Sequence, residues 1–338
     1  MPPDPLISVI MPAFNAVAYL TQAIDSILSQ TYANFELIIL NDGSTDQTDG
    51  VIKAFTDTRI RYFENQSNLG LVATLNLGLA AARGQYIARM DADDISFPVR
   101  FERQINYLES HPSIGVVGSA VQLIDESNRR LRLSRFPLDP DLVRWILIFT
   151  NPVAHPSVMM RKSIIQSVGG YRHCRAEDID LWERLIQVTQ ISNLSTVLLK
   201  LRKHNRNITH VDRAALITSA AEISERMIER SIGQAVPTDL VAKMYGNKIE
   251  VPSDSLEIAI LIDKLYRVHG SNPRLNPEAR RCMRLDAARR VLRLATQDDL
   301  PLHHREQLIY RACVLDPLVP FRALISRTSS WMNTNITR

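Results

Sequence analysis

The first hundred residues alternate between strand and helix patterns, and this alternation limits the fold more than any other feature of the chain. Ile7-Ser-Val-Ile-Met-Pro12, Phe35-Glu-Leu-Ile-Ile-Leu40, Ile60-Arg-Tyr-Phe63 and Tyr86-Ile-Ala-Arg-Met90 are short, largely apolar runs that read as strands. Between them lie helices: Leu20, Ala23, Ile24, Ile27 and Leu28 recur at helical spacing, and further helices are expected over residues 47–55 and 71–82. Strand and helix in turn predict a mostly parallel sheet covered by helices on both faces, with ligands bound at the carboxyl ends of the strands. The polar residues of interest fall on that edge. Asn15 follows the first strand, Asp42 the second, and Asp91, Asp93 and Asp94 the fourth.

The fourth strand ends in Met90-Asp-Ala-Asp-Asp94. Carboxylates this close repel one another unless a cation or donor groups neutralise them. Carboxylates alone, without cysteine or histidine nearby in the sequence, suit a hard ion, Mg²⁺ or Mn²⁺, of the kind that holds a diphosphate. The plainer reading is an acidic turn capping the next helix, and Asp42 alone would pass as a turn residue beside Gly43. Taken together, the loops look like a nucleotide pocket. No Gly-x-Gly-x-x-Gly follows the first strand and no Walker loop is present, which argues against a dinucleotide oxidoreductase and an ATPase.

An amphipathic helix runs from Phe97-Pro-Val-Arg100 to His111, followed by a strand over 114–124, a basic loop over 126–140, a short helix over 141–149 and a strand over 157–160. Gly169-Gly-Tyr171 makes a bend. A helix then begins near Ala176 with Glu177, Asp178 and Asp180 in its first turn, where capping and the helix dipole account for any single acid. A second acid cluster nevertheless suits a diphosphate leaving group, since a carboxylate opposite it can take the proton of an incoming hydroxyl. The strand over 191–201 ends in Arg202-Lys-His204, and His204 reads either as a loop histidine or as a further ligand near the diphosphate.

From about Ala214 helical segments are broken by prolines, with apolar helical spacing over 214–230, 256–268 and 277–295. Arg280, Arg281, Arg284, Arg289, Arg290 and Arg293 form either a solvated helix face or a peripheral contact with an anionic membrane, and the tail over 320–331 is partly amphipathic. Lys and Arg (40) nearly balance Asp and Glu (36) and aromatics are 6%, which argues against nucleic acid as a partner. Cys174, Cys282 and Cys313 are too scattered for a zinc site or a disulfide framework. With no signal peptide and no apolar run long enough to span a bilayer, the expected location is the cytoplasm, with the inner face of the membrane as a peripheral alternative.

The motifs Ser8-Val-Ile-Met-Pro-Ala-Phe-Asn15, Leu40-Asn-Asp-Gly-Ser-Thr-Asp46, Asn68-Leu-Gly70, Arg89-Met-Asp-Ala-Asp-Asp94, Gly169-Gly-Tyr171 and Glu177-Asp-Ile-Asp-Leu-Trp182 occur in this order. The ordered set resembles the inverting glycosyltransferases of family 2, over roughly residues 6–205. The resemblance implies a GT-A, Rossmann-like nucleotide-sugar-binding domain over 1–212 and a helical accessory region over 213–338. It implies that Pro12, Ala13, Asn15 and Asn68 line the nucleotide pocket, that Asp42 accepts from the base, commonly uracil, and that Asp91 lies near ribose and metal. Asp93 would bind Mn²⁺ or Mg²⁺, and His204 resembles a histidine that approaches metal or diphosphate. Asp178 would be the general base, with Glu177 and Asp180 as rivals. The acceptor would be a hydroxyl of a glycan or a lipid-linked saccharide, in surface polysaccharide synthesis. The chain has Phe14-Asn15 where the family often has Tyr-Asn, and Thr74-Leu75-Asn76 where it often has Ala-Arg-Asn, a departure that bears on donor choice. The alternatives are a sugar nucleotidyltransferase, whose glycine-rich basic signature is missing after the first strand, and a non-catalytic nucleotide-sugar-binding protein.

Overall fold

The computed structural model describes residues 4–204, 213–246, 252–297 and 300–319. The chain divides into two compact units, Met1–Pro140 with Asn151–Asp212, and Asp141–Thr150 with Arg213–Arg338. The sequence boundary at 212/213 therefore leaves out one short excursion, Asp141–Thr150, which belongs with the helical unit.

The first unit is built on a sheet of nine strands: β1 (Ile7–Ala13), β2 (Phe35–Asn41), β3 (Ile60–Glu64), β4 (Tyr86–Arg89), β5 (Ile95–Ser96), β6 (Ile114–Ile124), β7 (Arg130–Ser134), β8 (Met159–Arg161) and β9 (Gln190–Arg202). Their order is β3-β2-β1-β4-β8-β6-β9-β5, with β7 paired to β6. The β3-β2-β1-β4 half is parallel, as the alternation predicts. β8 runs antiparallel to both β4 and β6, and β5 and β7 are antiparallel additions, so the sheet is mixed beyond β4. The parallel strands need crossovers, which α1 (Leu20–Leu28), α2 (Thr48–Lys53) and α3 (Leu71–Ala81) supply. β2 is buried along its whole length, as expected of a strand covered on both faces. α3 lies so close to β1 that a Cβ on Gly78 would sit 2.5 Å from Ile10 Cγ2, so only glycine permits this packing.

Two local expectations are corrected. The basic stretch 126–140 is not wholly loop, because β7 folds back on β6 around a turn in which Asp125 accepts from Ser127 N and Arg129 N, each at 2.9 Å. Arg130 to Arg132 are exposed, so β7 has no core-facing pattern to announce it. The strand expected from Ser157 starts later, at Met159, because His155–Ser157 forms a 3-10 turn. Helices α4 (Arg100–Ser110), α6 (Lys162–Ser167) and α7 (Glu177–Leu185) complete the unit.

The second unit comprises most of α5 (Pro140–Leu147), with α8 (Arg213–Ile232), α9 (Thr238–Gly246), α10 (Pro252–Gly270), α11 (Pro277–Leu294) and α12 (Leu302–Leu315). Proline opens α10 and α11, where its missing N–H costs no helical bond, and Asn276 caps α11 by accepting from Ala279 N at 2.7 Å. The excursion joins this unit because α5 carries large apolar groups. Trp145 is fully buried and its indole N–H donates to Asp286 at 2.7 Å. Asp286 also pairs with Arg290 at 2.6 Å, so the basic helix α11 spends part of its charge inside its own unit. No described helix is long and apolar enough to cross a membrane. The tail over 320–331 lies outside the described residues.

Candidate active site

The carboxyl ends of β1 and β2 are tied to each other. Ala13 is buried and its carbonyl accepts from Asp42 N at 2.8 Å. Asn15, left-handed at φ 48°, donates its N–H to Ser44 Oγ at 3.0 Å and accepts at Oδ1 from Thr45 N at 2.9 Å. Pro12 is half-buried ahead of this turn. Asp42 is 4% exposed, and its carboxylate accepts from Asn65 Nδ2 at 2.8 Å, Leu69 N at 2.9 Å and Gly70 N at 3.0 Å. These bonds seat the Asn68-Leu69-Gly70 turn at the start of α3, with Asn68 Oδ1 accepting from Gly70 N at 3.0 Å. Any contact of Asp42 with a base is made in addition to these three. Gly43, at φ 67°, lets the turn approach, since a Cβ there would lie 2.5 Å from Ser67 C.

Beyond β4 the three acids converge, each offering an oxygen within 4.8 Å of the others. Asp91 is ion-paired with Arg89. Asp93 Oδ2 lies 2.8 Å from His204 Nε2, brought in by the end of β9. Asp94, 2% exposed, accepts from Arg202 N at 2.8 Å, while its Oδ2 has no hydrogen-bond partner among the described residues. Arg202 also donates to Asp93 O at 2.8 Å and lies over the Tyr19 ring, on which His204 stacks. Burial first and Asp91 second push the Asp93 carboxyl up, against the pull of His204. Burial, Asp91 and Asp93 hold Asp94 well above the usual carboxylate range. Crowded carboxylates, an orphaned buried oxygen and one imidazole form a donor set that fits a hard divalent cation.

The second acid cluster opens α7. Asp178 accepts from Asn151 Nδ2 at 2.6 Å and from Ile179 N at 2.8 Å. Burial raises its pKa, and these two donors and Arg89 oppose the rise. Burial, then the neighbouring Asp178, push Glu177 up to about 8. Glu177 Oε1 faces His155 Nδ1 at 3.8 Å, and His155 Nε2 meets the Tyr171 hydroxyl at 2.8 Å. Burial and then Arg89 push His155 well below its ordinary value, so the imidazole is neutral. Asp180 instead points into an ion pair with Arg184 at 2.8 Å and is 6% exposed.

Residues 8–169 match the family model described as Glycosyl transferase family 2. The chain is 38% identical over 231 residues to the putative glycosyltransferase EpsE of Bacillus subtilis (strain 168), covering 64% of this chain and 82% of that protein. The chain belongs to glycosyl transferase family 2. This family 2 glycosyltransferase is also 33% identical over 236 residues to the O-antigen biosynthesis glycosyltransferase WbnJ of Escherichia coli, covering 67% of this chain and 91% of WbnJ. Among solved structures, S. aureus TarS 1-349 in complex with UDP-GlcNAc superposes with a TM-score of 0.55 at 16% identity, over 94% of this chain and 91% of that one. That likeness concerns the fold, which is the mixed, GT-A-like α/β architecture the motifs imply.

The structure also gathers residues to which the sequence assigned no role of their own: Arg89, Tyr171 and Arg202, which lie within the motifs, and Asn151 and His155. Arg89 carried a signal, since a cation inside a four-residue strand with every position buried is unusual unless anions meet it. Asn151 lies in the loop before the 3-10 turn that His155 opens, where polar residues are ordinary and nothing local marks them.

Proposed function

We propose that this glycosyltransferase moves a sugar from a nucleoside-diphosphate sugar, a UDP-sugar in the first instance, to a hydroxyl of a glycan or lipid-linked saccharide, with inversion at the anomeric carbon. The observation that carries the reading is the pairing of two distinct acid clusters: a cation-fitting triad after β4, and at the start of α7 a carboxylate pair with Asp178 hydrogen-bonded for ionisation.

Asp178 accepts the proton of the acceptor hydroxyl as its oxygen bonds to the anomeric carbon. The bond from that carbon to the phosphate oxygen breaks in the same displacement, and its electron pair leaves with the nucleoside diphosphate. Burial and Asp178 push Glu177 up to about 8, which favours Asp178 over Glu177 as the base. Pro12, Ala13, Asn15, Asp42, Asn68 and Asp91 bind and orient the nucleotide. Asp93, with Asp91 and His204, would hold a divalent cation, Mn²⁺ or Mg²⁺, which when bound offsets the charge of the leaving diphosphate.

Two relatives are named for polysaccharide biosynthesis: the O-antigen biosynthesis glycosyltransferase WbnJ, and the amylovoran biosynthesis glycosyltransferase AmsE of Erwinia amylovora, 36% identical over 191 residues. That supports the same role here. The solved neighbours carry UDP-GlcNAc and, in the mannosyltransferase PcManGT of Pyrobaculum calidifontis, GDP-Man with Mn²⁺ (TM-score 0.51), which supports a nucleotide-sugar donor and a divalent ion. A lipid-linked acceptor would bring the enzyme to the inner face of the membrane as a peripheral protein.

The test is calorimetric binding of UDP, GDP, CDP and dTDP, each with and without Mn²⁺, to wild type and to Asp93→Asn. Manganese-dependent binding of one nucleotide, lost in the variant, identifies the donor class, and its sugars are then screened for turnover that requires Asp178. Absence of binding under every condition overturns the donor site. Tight binding with no turnover on any donor and acceptor points instead to a nucleotide-sugar-binding protein.

A further inference from the structure

Two residues at the end of β9 take hold of Asp93 from opposite sides. Arg202 Nε donates to the Asp93 carbonyl at 2.8 Å, and His204 Nε2 lies 2.8 Å from the Asp93 carboxylate. The Arg202 N–H also donates to Asp94 Oδ1 at 2.8 Å. The next two residues continue the contact as strand, with Ile95 opposite Lys200 and Ser96 opposite Leu199. The loop that carries the triad is thus joined to β9 from Asp93 through Ser96.

β9 is itself fixed at this point. Arg202 pairs with Ile124, the last residue of β6, and Lys203 N donates to Ile124 O at 2.9 Å. The Arg202 side chain, 1% exposed, carries its other donors to two further supports. Nη1 donates to Asp125 O at 3.1 Å and Glu126 O at 3.3 Å, in the turn between β6 and β7, and Nη2 donates to Gln22 Oε1 of α1 at 3.2 Å. Its Cζ lies 4.3 Å from the Tyr19 ring centroid. A guanidinium can make such a set because its donors form a rigid fork, whereas an ammonium is a single compact head on a flexible stem. These guanidinium bonds all end on carbonyl or amide oxygens. They secure the loop by its main chain and take none of the charge of the Asp93 carboxylate, unlike Arg89, which is ion-paired with Asp91.

We propose that Arg202 is a positioning residue for the divalent cation: by tying the main chain at Asp93 to β9, the β6–β7 turn and α1, it holds the Asp93 and Asp94 carboxylates in the arrangement that binds the ion. The inference rests on the proposed function in taking the triad as the cation site. Charge and position predict opposite results for the loss of Arg202. A buried cation beside the triad repels a second cation, so on charge alone its removal tightens binding of the ion. Loss of a group that holds a metal ligand in place weakens binding, by about 10–100-fold.

The test reads Mn²⁺ binding rather than turnover. Electron paramagnetic resonance measures free Mn²⁺ while the full chain is titrated with the ion, alone and in the presence of UDP. Arg202→Met keeps an unbranched stem against Tyr19 and removes the side-chain donors, and should weaken Mn²⁺ binding by about 10–100-fold. Arg202→Lys keeps the charge and loses the fork, so it should weaken binding in the same direction, and it carries the test should the methionine variant not fold. Urea unfolding follows the stability of each. A purely structural role lowers the unfolding midpoint and leaves the Mn²⁺ affinity of the folded protein in place. Unchanged or tighter Mn²⁺ binding in either folded variant overturns the proposal. Asp93→Asn reports on the reading beneath it. Wild-type Mn²⁺ binding that is absent, or that survives Asp93→Asn, removes the cation site itself, whereas binding lost in Asp93→Asn and kept in the Arg202 variants sinks the role of Arg202 alone.

Discussion

Asn76 holds Tyr171 by both faces of its peptide, Oδ1 accepting from Tyr171 N at 3.0 Å and Nδ2 donating to Tyr171 O at 2.9 Å, across 95 residues of sequence. The amide of α3 thereby fixes the residue whose hydroxyl meets His155, so a helix of the parallel half sets the geometry beside α7. Asn76→Ala removes both bonds from a partly buried site and should destabilise the protein by about 1–3 kcal/mol. Asn76→Asp keeps the acceptor and loses the donor, so it should fall between. Urea unfolding of the three proteins reads the order directly. Equal stabilities would show that the clamp contributes nothing.

Glu177 gives a pH dependence whose sign is fixed by its environment. Its folded-state pKa is raised from 4.5 to about 8, so between those values the folded protein binds a proton that the unfolded chain has released. Stability should therefore decline as pH rises from about 4.5 to about 8 and level off above, with Glu177 contributing on the order of a few kcal/mol of that decline. Glu177→Gln removes the burden of an ionised buried carboxylate. Relative to wild type it should gain most at pH 8 and little near pH 4.5. Denaturant midpoints at four or five pH values test this, and a difference that stays constant with pH would contradict it.

Fold and site were legible in the sequence to different degrees. The parallel half could be read because β2 and β4 are buried throughout, β1 is buried but for Pro12, and α1 carries a clear apolar period. β8 was placed two residues early and its direction was not legible, because three residues carry no periodicity and the reversal is set by the long-range pairing of Met159 and Met160 with β4 and β6. In the site, the acids stood out as clusters, but their status did not. Asp180 and Asp178 are both first-turn acids, and only the position of Arg184 one helical turn on and of Asn151 from a distant loop separates an ion-paired carboxylate from one that accepts from a side-chain amide. The Arg184 partner at i+4 was visible in the sequence as a helix pair. Asn151 was not, since its loop carries no pattern that points to α7.

Leu75 stands where relatives of this type often carry an arginine, and in this protein the side chain is 1% exposed on the buried face of α3. Restoring the family residue by Leu75→Arg would place an unpaired guanidinium in the core instead of opening a donor contact. The expected result is a loss of about 3 kcal/mol or more in stability. Nucleotide affinity measured on whatever fraction remains folded should not improve. A stable Leu75→Arg protein with tighter nucleotide binding would mean that the side chain at this position reaches the pocket.

His204 and Asp93 are 2.8 Å apart, with the imidazole stacked on Tyr19. The imidazole is either a ligand of the cation that Asp93 would hold or the group that orients Asp93 toward it, and the two roles separate in a binding experiment. His204→Gln keeps a hydrogen-bonding side chain but offers a poorer ligand. As an orienting partner its loss should weaken Mn²⁺-dependent nucleotide binding by about 10–100-fold, the range typical for groups that support metal ligands. As a ligand it should also change which ion is preferred, because an imidazole favours Mn²⁺ over Mg²⁺ more than carboxylates alone do. Calorimetry of the nucleotide with each ion in turn, on wild type and His204→Gln, distinguishes them. A uniform loss with both ions marks an orienting role, and a loss confined to Mn²⁺ marks a ligand. Affinities unchanged with both ions would remove His204 from the site, leaving its bond to Asp93 as support for the end of β9.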